Sequence, residues 1–232
     1  KREVAVKELI CNNAVFGIAL CALTWQAGLW VAAKAKHPLV HPLVVAIALA
    51  VAALAAFDIP LEWFRQGADY LDMLLLPATA ALGLSVWRQR QVLKENFWPV
   101  VLVCAAGALT NAFVATGLCR LLALDASLAN SVLPHSVTTP IAIALSEAGG
   151  GVPAVTTLCV LFTGIVGAAF APLLVRIFRL EEHPVAAGVA IGSASHAIGT
   201  GRAMEMGQVQ GAMSSVAIGV AGILTTLMSL VW

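Results

Sequence analysis

Residues 133–151 read LPHSVTTPIAIALSEAGGG, and residues 192–207 read GSASHAIGTGRAMEMG. Each stretch places a histidine and several hydroxyl side chains inside an otherwise apolar part of the chain, and each closes on glycine. Irregular backbone is tolerated at membrane depth only where protein or water covers it. The two stretches therefore predict broken or re-entrant helices that line a cavity, within segments 126–150 and 184–207.

The composition around these stretches is that of an integral membrane protein. Of 232 residues, 60% are hydrophobic and 11% are charged, whereas a soluble domain carries about 25% charged residues. The net charge of +1 and the lack of basic clusters argue against a nucleic-acid partner. The five cysteines lie singly, without metal-ligand spacing. We predict packing roles for them, and neither a metal nor a cofactor.

Six apolar runs fit or nearly fit the length of about 20 residues that a membrane-spanning helix needs. They cover residues 13–33, 38–57, 70–87, 97–122, 153–178 and 211–232. The predicted fold is an all-α polytopic transmembrane bundle. Residues 1–122 would form a scaffold of spans, and residues 123–232 would combine the two broken segments with two spans. We expect the first run to remain as a span rather than a cleaved signal.

Loop charges predict the orientation of these spans. The linker 58–69 carries three acids and one arginine, whereas lysines and arginines flank the spans on both sides of it, so we expect this linker to be an outside loop. If segment 126–150 dips into the membrane and returns, Arg176 and Arg179 reach the cytoplasm. If both broken segments cross fully, these arginines lie outside.

A shift of 58 residues lays parts of the chain on one another. Glu147 falls on Glu205, Gly149 on Gly207, and the pair 164–165 on 222–223. Each unit contains one broken segment and one span. Because a unit with a single crossing inverts its copy, the pattern predicts a possible inverted repeat, as in secondary transporters.

The first stretch contains the features of an anion site. Thr139 and Pro140 form a helix start, since threonine can cap a helix and proline is favoured at the first helical position. Ser136, Thr138 and Thr139 would then lie at the positive end of a short helix. Free backbone N–H groups and hydroxyls at such an end suit a carboxylate.

The second stretch repeats this design with other residues. Ser193 and Ser195 offer hydroxyls, and we expect Thr200 to cap a short helix over residues 201–206. Arg202 would lie in its first turn, where a cation opposes the helix dipole. Either an anionic ligand or pairing with Glu205 three residues on would account for it.

His135 and His196 each stand beside hydroxyl residues. Either could carry a coupled proton or donate to a carboxylate, and the alternative is a hydrogen-bonded packing histidine. A serine hydrolase using these histidines lacks a third group and a nucleophile motif, so we expect no enzyme.

Three further polar residues lie near the two stretches. Glu147 and Glu205 could support proton coupling, although a charge at mid-membrane costs about 2.5–3.5 kcal/mol on insertion scales. A position on the solvent side is the alternative for both. Asn111 could add a polar group from the neighbouring span, or form a hydrogen bond between helices.

Two long stretches resemble a known family. LPHSVTTPIAIALSEAGGGVPAVTTLCVLFTGIVGA (residues 133–168) and GVAIGSASHAIGTGRAMEMGQVQGAMSSVAIGVAGIL (residues 188–224) are similar to the hallmark of the LrgB/CidB family, which includes the plastid glycolate/glycerate translocator. HPLVVAI and DMLLLPATAALGLSVWRQR extend the resemblance over nearly all of the chain from residue 38. One position departs from the family, which usually has lysine where His135 stands.

The resemblance implies export or exchange of small monocarboxylates such as glycolate, glycerate or pyruvate. It also implies a multi-pass protein of the bacterial inner membrane, a small LrgA/CidA-like membrane partner and a homo-oligomer. The family's older description is a holin/antiholin-like modulator of murein hydrolase activity and cell lysis. The polar, helix-breaking stretches favour a carrier that works by alternating access. The lysis-modulating role remains the alternative.

Overall fold

The computed structural model describes residues 2–35, 40, 42–74, 77, 80–81, 84, 87–88 and 90–230. Within these ranges all regular secondary structure is helical. The described helices are α1 Arg2–Cys11, α2 Ala14–Ala35, α3 Pro42–Ala56, α4 Leu61–Asp72, α5 Arg90–Glu95, α6 Phe97–Leu121, α7 Ala126–Val132, α8 Thr139–Ala148, α9 Pro153–Ile177, α10 Pro184–Met206 and α11 Gln208–Ser229. A 3-10 turn at Leu180–Glu182 lies between α9 and α10.

Four of the described helices, α2, α6, α9 and α11, are long and apolar enough to cross a membrane. Helix α3 is apolar but has only 15 residues, and residues 36–39 and 41 before it lie outside the described residues. Eight of the 18 residues of the predicted run 70–87 lie outside them as well. The all-α polytopic membrane fold is confirmed.

The chain forms two compact units, residues 1–81 and 82–232. In the first unit α2 packs against α3 and α4. Helices α2 and α4 approach closely at Gly17 and Gly67, where a Cβ atom on either residue would collide with the backbone of the other helix. Most of the predicted outside loop 58–69 belongs to helix α4, and its side of the membrane stays a prediction. The predicted division at residue 122 stays a prediction.

In the second unit, segment 126–148 forms a helical hairpin, which we call hairpin 1. Helices α7 and α8 have 7 and 10 residues, or lengths of about 10 and 15 Å. Neither can cross the roughly 30 Å hydrocarbon layer. A turn over residues 133–137 joins them, and they contact each other. The fold-back of α8 on α7 favours the re-entrant alternative, and the position of the segment in the membrane stays a prediction.

Helix α10 also doubles back, and we call it hairpin 2. Its helical backbone breaks at His196, where φ is 41° and ψ is −139°. A Cβ atom at Gly199 would lie 3.1 Å from Cγ2 of Ile191, although residues eight apart in a continuous helix are separated by about 12 Å. Ser214 of α11 contacts both halves, through Gly192 and Thr200. The chain therefore reverses at His196.

Both hairpins pack on α9, and hairpin 1 has its base at the amino-terminal end of that helix. The hydroxyl of Ser131 accepts a 2.7 Å hydrogen bond from the N–H of Val152. Ser146 accepts a 2.7 Å bond from the hydroxyl of Thr156. Further along α9, Val160 packs against Val137, which lies in the connection between α7 and α8.

Hairpin 2 has its base at the other end of α9. Ala187 and Ala203, one from each half of the hairpin, cluster with Ala171 and Val175 of α9. Its break at His196 lies against Gly164, near the middle of α9. The two hairpins therefore run along α9 from opposite ends, and their tips meet near its centre.

The element order repeats with the predicted shift of 58 residues. This shift carries Ala126 onto Pro184, where hairpins 1 and 2 begin, and Ala148 onto Met206, where they end. It also carries Thr138, the extended residue before α8, onto the break at His196. Each unit is a short helix, a break, a short helix and a long helix. Entry from opposite ends of α9 supports an inverted relation between the units.

Candidate functional site

The tip of hairpin 1 buries polar groups. Ser136 is 8% exposed and Val137 is 2% exposed. Thr138 is the extended residue that precedes α8, so the helix start lies one residue before the predicted Thr139. In the described residues the Thr138 hydroxyl makes no capping hydrogen bond. The Thr138 hydroxyl and the first N–H groups of α8 therefore remain available to a ligand at the positive end of this helix.

Two hydrogen bonds hold this tip in place. Nδ2 of Asn111, on α6, donates to the carbonyl oxygen of Leu133 at 3.4 Å. Nδ1 of His135 lies 2.9 Å from the carbonyl oxygen of Val132. Asn111 therefore connects α6 to the tip of hairpin 1, as the helix–helix alternative for this residue predicts.

The tip of hairpin 2 is built around His196. The residue is 3% exposed, and its Nε2 lies 2.9 Å from the carbonyl oxygen of Val160 on α9. A Cβ atom at Gly164 would lie 2.5 Å from Cε1 of the ring, so glycine is needed for the ring to lie there. The hydroxyl of the buried Ser195 lies directly over Gly167, where a Cβ atom would displace it.

Thr200 does not start a helix. The second half of hairpin 2 begins directly after His196, so the prediction that Thr200 caps a helix over residues 201–206 is wrong. Its buried hydroxyl donates to the carbonyl oxygen of His196 at 3.0 Å and lies 2.7 Å from the hydroxyl of Ser214. Ser193, one turn before the break, donates to the carbonyl oxygen of Ala190 at 3.3 Å.

Three predicted residues lie away from the tips. Arg202 forms an exposed ion pair with Glu205, which is the pairing alternative for that arginine. Their neighbour Ala203 belongs to the base of hairpin 2. Glu147 is exposed near the end of α8, about 12 Å along the helix from Thr139.

The remaining predicted residues converge through α9. The side chain of Val160 packs against Val137 of hairpin 1, while its carbonyl oxygen bonds to His196 of hairpin 2. The structure thus brings together hydroxyls, two histidines and two helix starts. This set can surround and neutralise a small anion.

Sequence reasoning missed the residues that α9 and α11 contribute. Gly164 and Gly167 make room for His196 and Ser195, and Ser214 bonds to Thr200. The spacing of three residues between the glycines was a usable signal, because it places them on one helix face. The Val160 carbonyl gives no signal in the sequence.

Comparison with known proteins identifies the family. A model of the LrgB-like family matches residues 21–232. The antiholin-like protein LrgB of Bacillus cereus (strain B4264) is 32% identical over 213 residues, which cover 91% of this chain and 92% of that protein. The antiholin-like protein LrgB of Bacillus anthracis (strain CDC 684 / NRRL 3495) matches equally well. No solved structure matches. The chain belongs to the LrgB-like family.

Proposed function

We propose that the protein is a carrier for small monocarboxylates of the glycolate, glycerate and pyruvate class, and not an enzyme. One observation carries this proposal: hairpins 1 and 2 run along α9 from opposite ends and meet at Val160. Opposed helix breaks at mid-membrane are the arrangement in which carriers bind substrate between inverted repeats. The resemblance noted from the sequence supports the substrate class.

The proposed site binds the carboxylate through helix starts and hydroxyls. The first N–H groups of α8 and of the second half of hairpin 2 point toward the tips, and a helix start favours an anion. The hydroxyls of Ser136, Thr138 and Ser195 supply further donors, with support from Thr139 and Thr200. His135 and His196 each donate one ring N–H to a backbone carbonyl oxygen, so each balances the negative charge when its other ring nitrogen takes up a coupled proton.

Access to this site requires movement. Ser136, Ser195, His196 and Thr200 are all buried, so the tips are closed in this conformation. In alternating access, one hairpin would withdraw from α9 while the other stays in contact. We place the protein in the bacterial inner membrane, as a homo-oligomer with a small LrgA/CidA-like membrane partner.

Antiholin-like control of murein hydrolases and lysis is the second candidate. The name of the Bacillus relatives favours it. A protein that acts only through its apolar faces does not need the hydroxyls at the hairpin tips. Substitutions at Ser136 and Ser195 therefore separate the two candidates.

The test is uptake of labelled glycolate, glycerate, pyruvate and lactate into proteoliposomes, with leakage of a trapped dye measured in parallel. We expect saturable uptake without leakage. Ser136→Ala and Ser195→Ala should reduce uptake at least tenfold, because each removes a buried donor worth about 1.5–3 kcal/mol to a charged ligand. Thr226→Ala, at an exposed position on α11, is the matched control. Leakage without saturable uptake would reject the carrier in favour of the holin/antiholin-like role.

A further inference from the structure

A cavity of about 370 Å³ opens between the start of α6 and the start of hairpin 2. Its walls are mainly apolar and come from Pro99, Val100 and Val103 on α6 and from Pro184, Val185 and Val189 on hairpin 2. Its volume falls at the lower end of the roughly 300–1,000 Å³ range of small-molecule sites. The cavity lies away from the hairpin tips, and the site described above does not use it.

One face of α6 connects this cavity to the tips. Val100, Val103, Gly107 and Asn111 follow one another at spacings of three or four residues, so they share one face of the helix. Val100 and Val103 line the cavity. Asn111, at the other end of this face, bonds to Leu133 at the tip of hairpin 1.

Hairpin 2 presents a matching face to α6. Val185, Val189 and Ser193 are spaced four residues apart, so they also share a helix face. Val185 and Val189 line the cavity, and Ser193 lies one turn before the break at His196. A Cβ atom at Gly107 would lie 3.8 Å from the hydroxyl oxygen of Ser193, so the two faces also meet above the cavity.

We propose that the cavity is the vestibule through which the substrate reaches the hairpin tips, and that Gly107 and Ser193 form the gate between them. This inference rests on the proposed function. The apolar walls suit the carbon part of a small monocarboxylate. The Ser193 hydroxyl is a polar group between the cavity and the hairpin tips. Because glycine contributes no side chain, separation of the two helices at Gly107 opens a path.

A bulky residue at Gly107 should block this path. We expect Gly107→Leu to reduce the initial rate of glycolate or pyruvate uptake into proteoliposomes at least tenfold. Gly107→Ala should retain more than half of the rate, since its Cβ would make only an ordinary contact with Ser193. Gly117→Leu is the matched control on the same helix, because a Cβ at Gly117 meets no atom within 4 Å in the described structure. All variants are compared by size-exclusion profile and melting temperature.

The result for Gly107→Leu decides between the readings. Uptake at the wild-type rate by folded Gly107→Leu would overturn the gate. Loss of uptake in Gly117→Leu as well would overturn it too, because the effect would not be local. Absence of saturable uptake in the wild type would instead reject the proposed function.

Thiol labelling tests the vestibule independently of transport. In a variant whose five cysteines are replaced by alanine, Val103→Cys should react with a charged, membrane-impermeant methanethiosulfonate. Leu102→Cys, on the adjacent face outside the cavity lining, should react at least tenfold more slowly because that face is turned to lipid. Equal rates at the two positions would overturn the vestibule. Faster labelling at Val103→Cys would support it even if transport fails.

Discussion

Substitution of His196 by glycine and by alanine measures the strain at the tip of hairpin 2. Both variants remove the ring and its bond to the Val160 carbonyl, so they differ only in backbone preference. At φ 41° and ψ −139°, a residue other than glycine bears roughly 1–3 kcal/mol of strain. Glycine relieves this strain but loses about 0.5–1 kcal/mol through its greater freedom in the unfolded chain. The glycine variant should therefore be more stable than the alanine variant by about 0–2.5 kcal/mol, with a central value of ~1 kcal/mol.

Thermal unfolding of the purified protein in detergent measures this difference. For a chain of this size, 1 kcal/mol corresponds to about 2–4 °C in melting temperature. At the central difference of about 1 kcal/mol, we expect His196→Gly to melt about 2–4 °C above His196→Ala. His196→Ala should melt below the wild type, because it loses the bond to the Val160 carbonyl, worth about 0.5–1.5 kcal/mol, and keeps the backbone strain.

Ala194→Gly is the matched control, because Ala194 is exposed and helical in the same hairpin. Here glycine should lower the free energy of unfolding by about 0.5–1 kcal/mol. The same change from alanine to glycine thus has opposite signs two residues apart. If His196→Gly melts at or below His196→Ala, the backbone at the tip is not strained and the reasoning is refuted.

Three further predictions concern the tips and the vestibule. Gly164→Ala should lower the free energy of unfolding by about 1–3 kcal/mol, because its Cβ would lie 2.5 Å from the His196 ring. Gly219→Ala should not lower this free energy, because a Cβ atom at Gly219 meets no atom within 4 Å in the described structure. Asn111→Leu should lower the melting temperature by less than about 4 °C, since the hydrogen bond that it removes is a long 3.4 Å. It should still reduce uptake severalfold, because the tip of hairpin 1 loses its hydrogen bond to α6. Unchanged uptake would contradict this role. Glu182→Gln, at the vestibule, should halve the KM for an anionic substrate. It removes the repulsion between two negative charges, which at roughly 10 Å in water is about 0.4 kcal/mol. A change in KM that persists in about 1 M salt would exclude this electrostatic cause.

Much of the fold follows from local chemistry. The apolar runs predict α2, α6, α9 and α11 to within a few residues, because only helices satisfy the backbone in lipid. The polar stretches predict two breaks, and the shift of 58 residues relates them. Helix α4 escaped prediction because its acidic residues resemble a loop in composition. Its pairing with α2 depends on Gly67 meeting Gly17, 50 positions away in the chain.

The position of the second break is a tertiary result. Local preference favours a break near Gly199 and Gly201, since glycine adopts most backbone conformations readily. The break instead falls at His196, whose ring finds the Val160 carbonyl and the space over Gly164. Gly199 is used for close packing against Ile191. A contact with another helix thus outweighs the intrinsic preference of the segment.

Hydrophobic length and helix-breaking chemistry are local properties, so the order of the amino acids specifies an all-α membrane fold, two polar interruptions and the residues available to bind an anion. Which of those residues meet depends on how the helices pack. Packing turned the hairpin tips toward Val160 and aligned α6 with hairpin 2 along the cavity. The reason is physical: these outcomes depend on close approach between helices, which glycines distant in the chain permit.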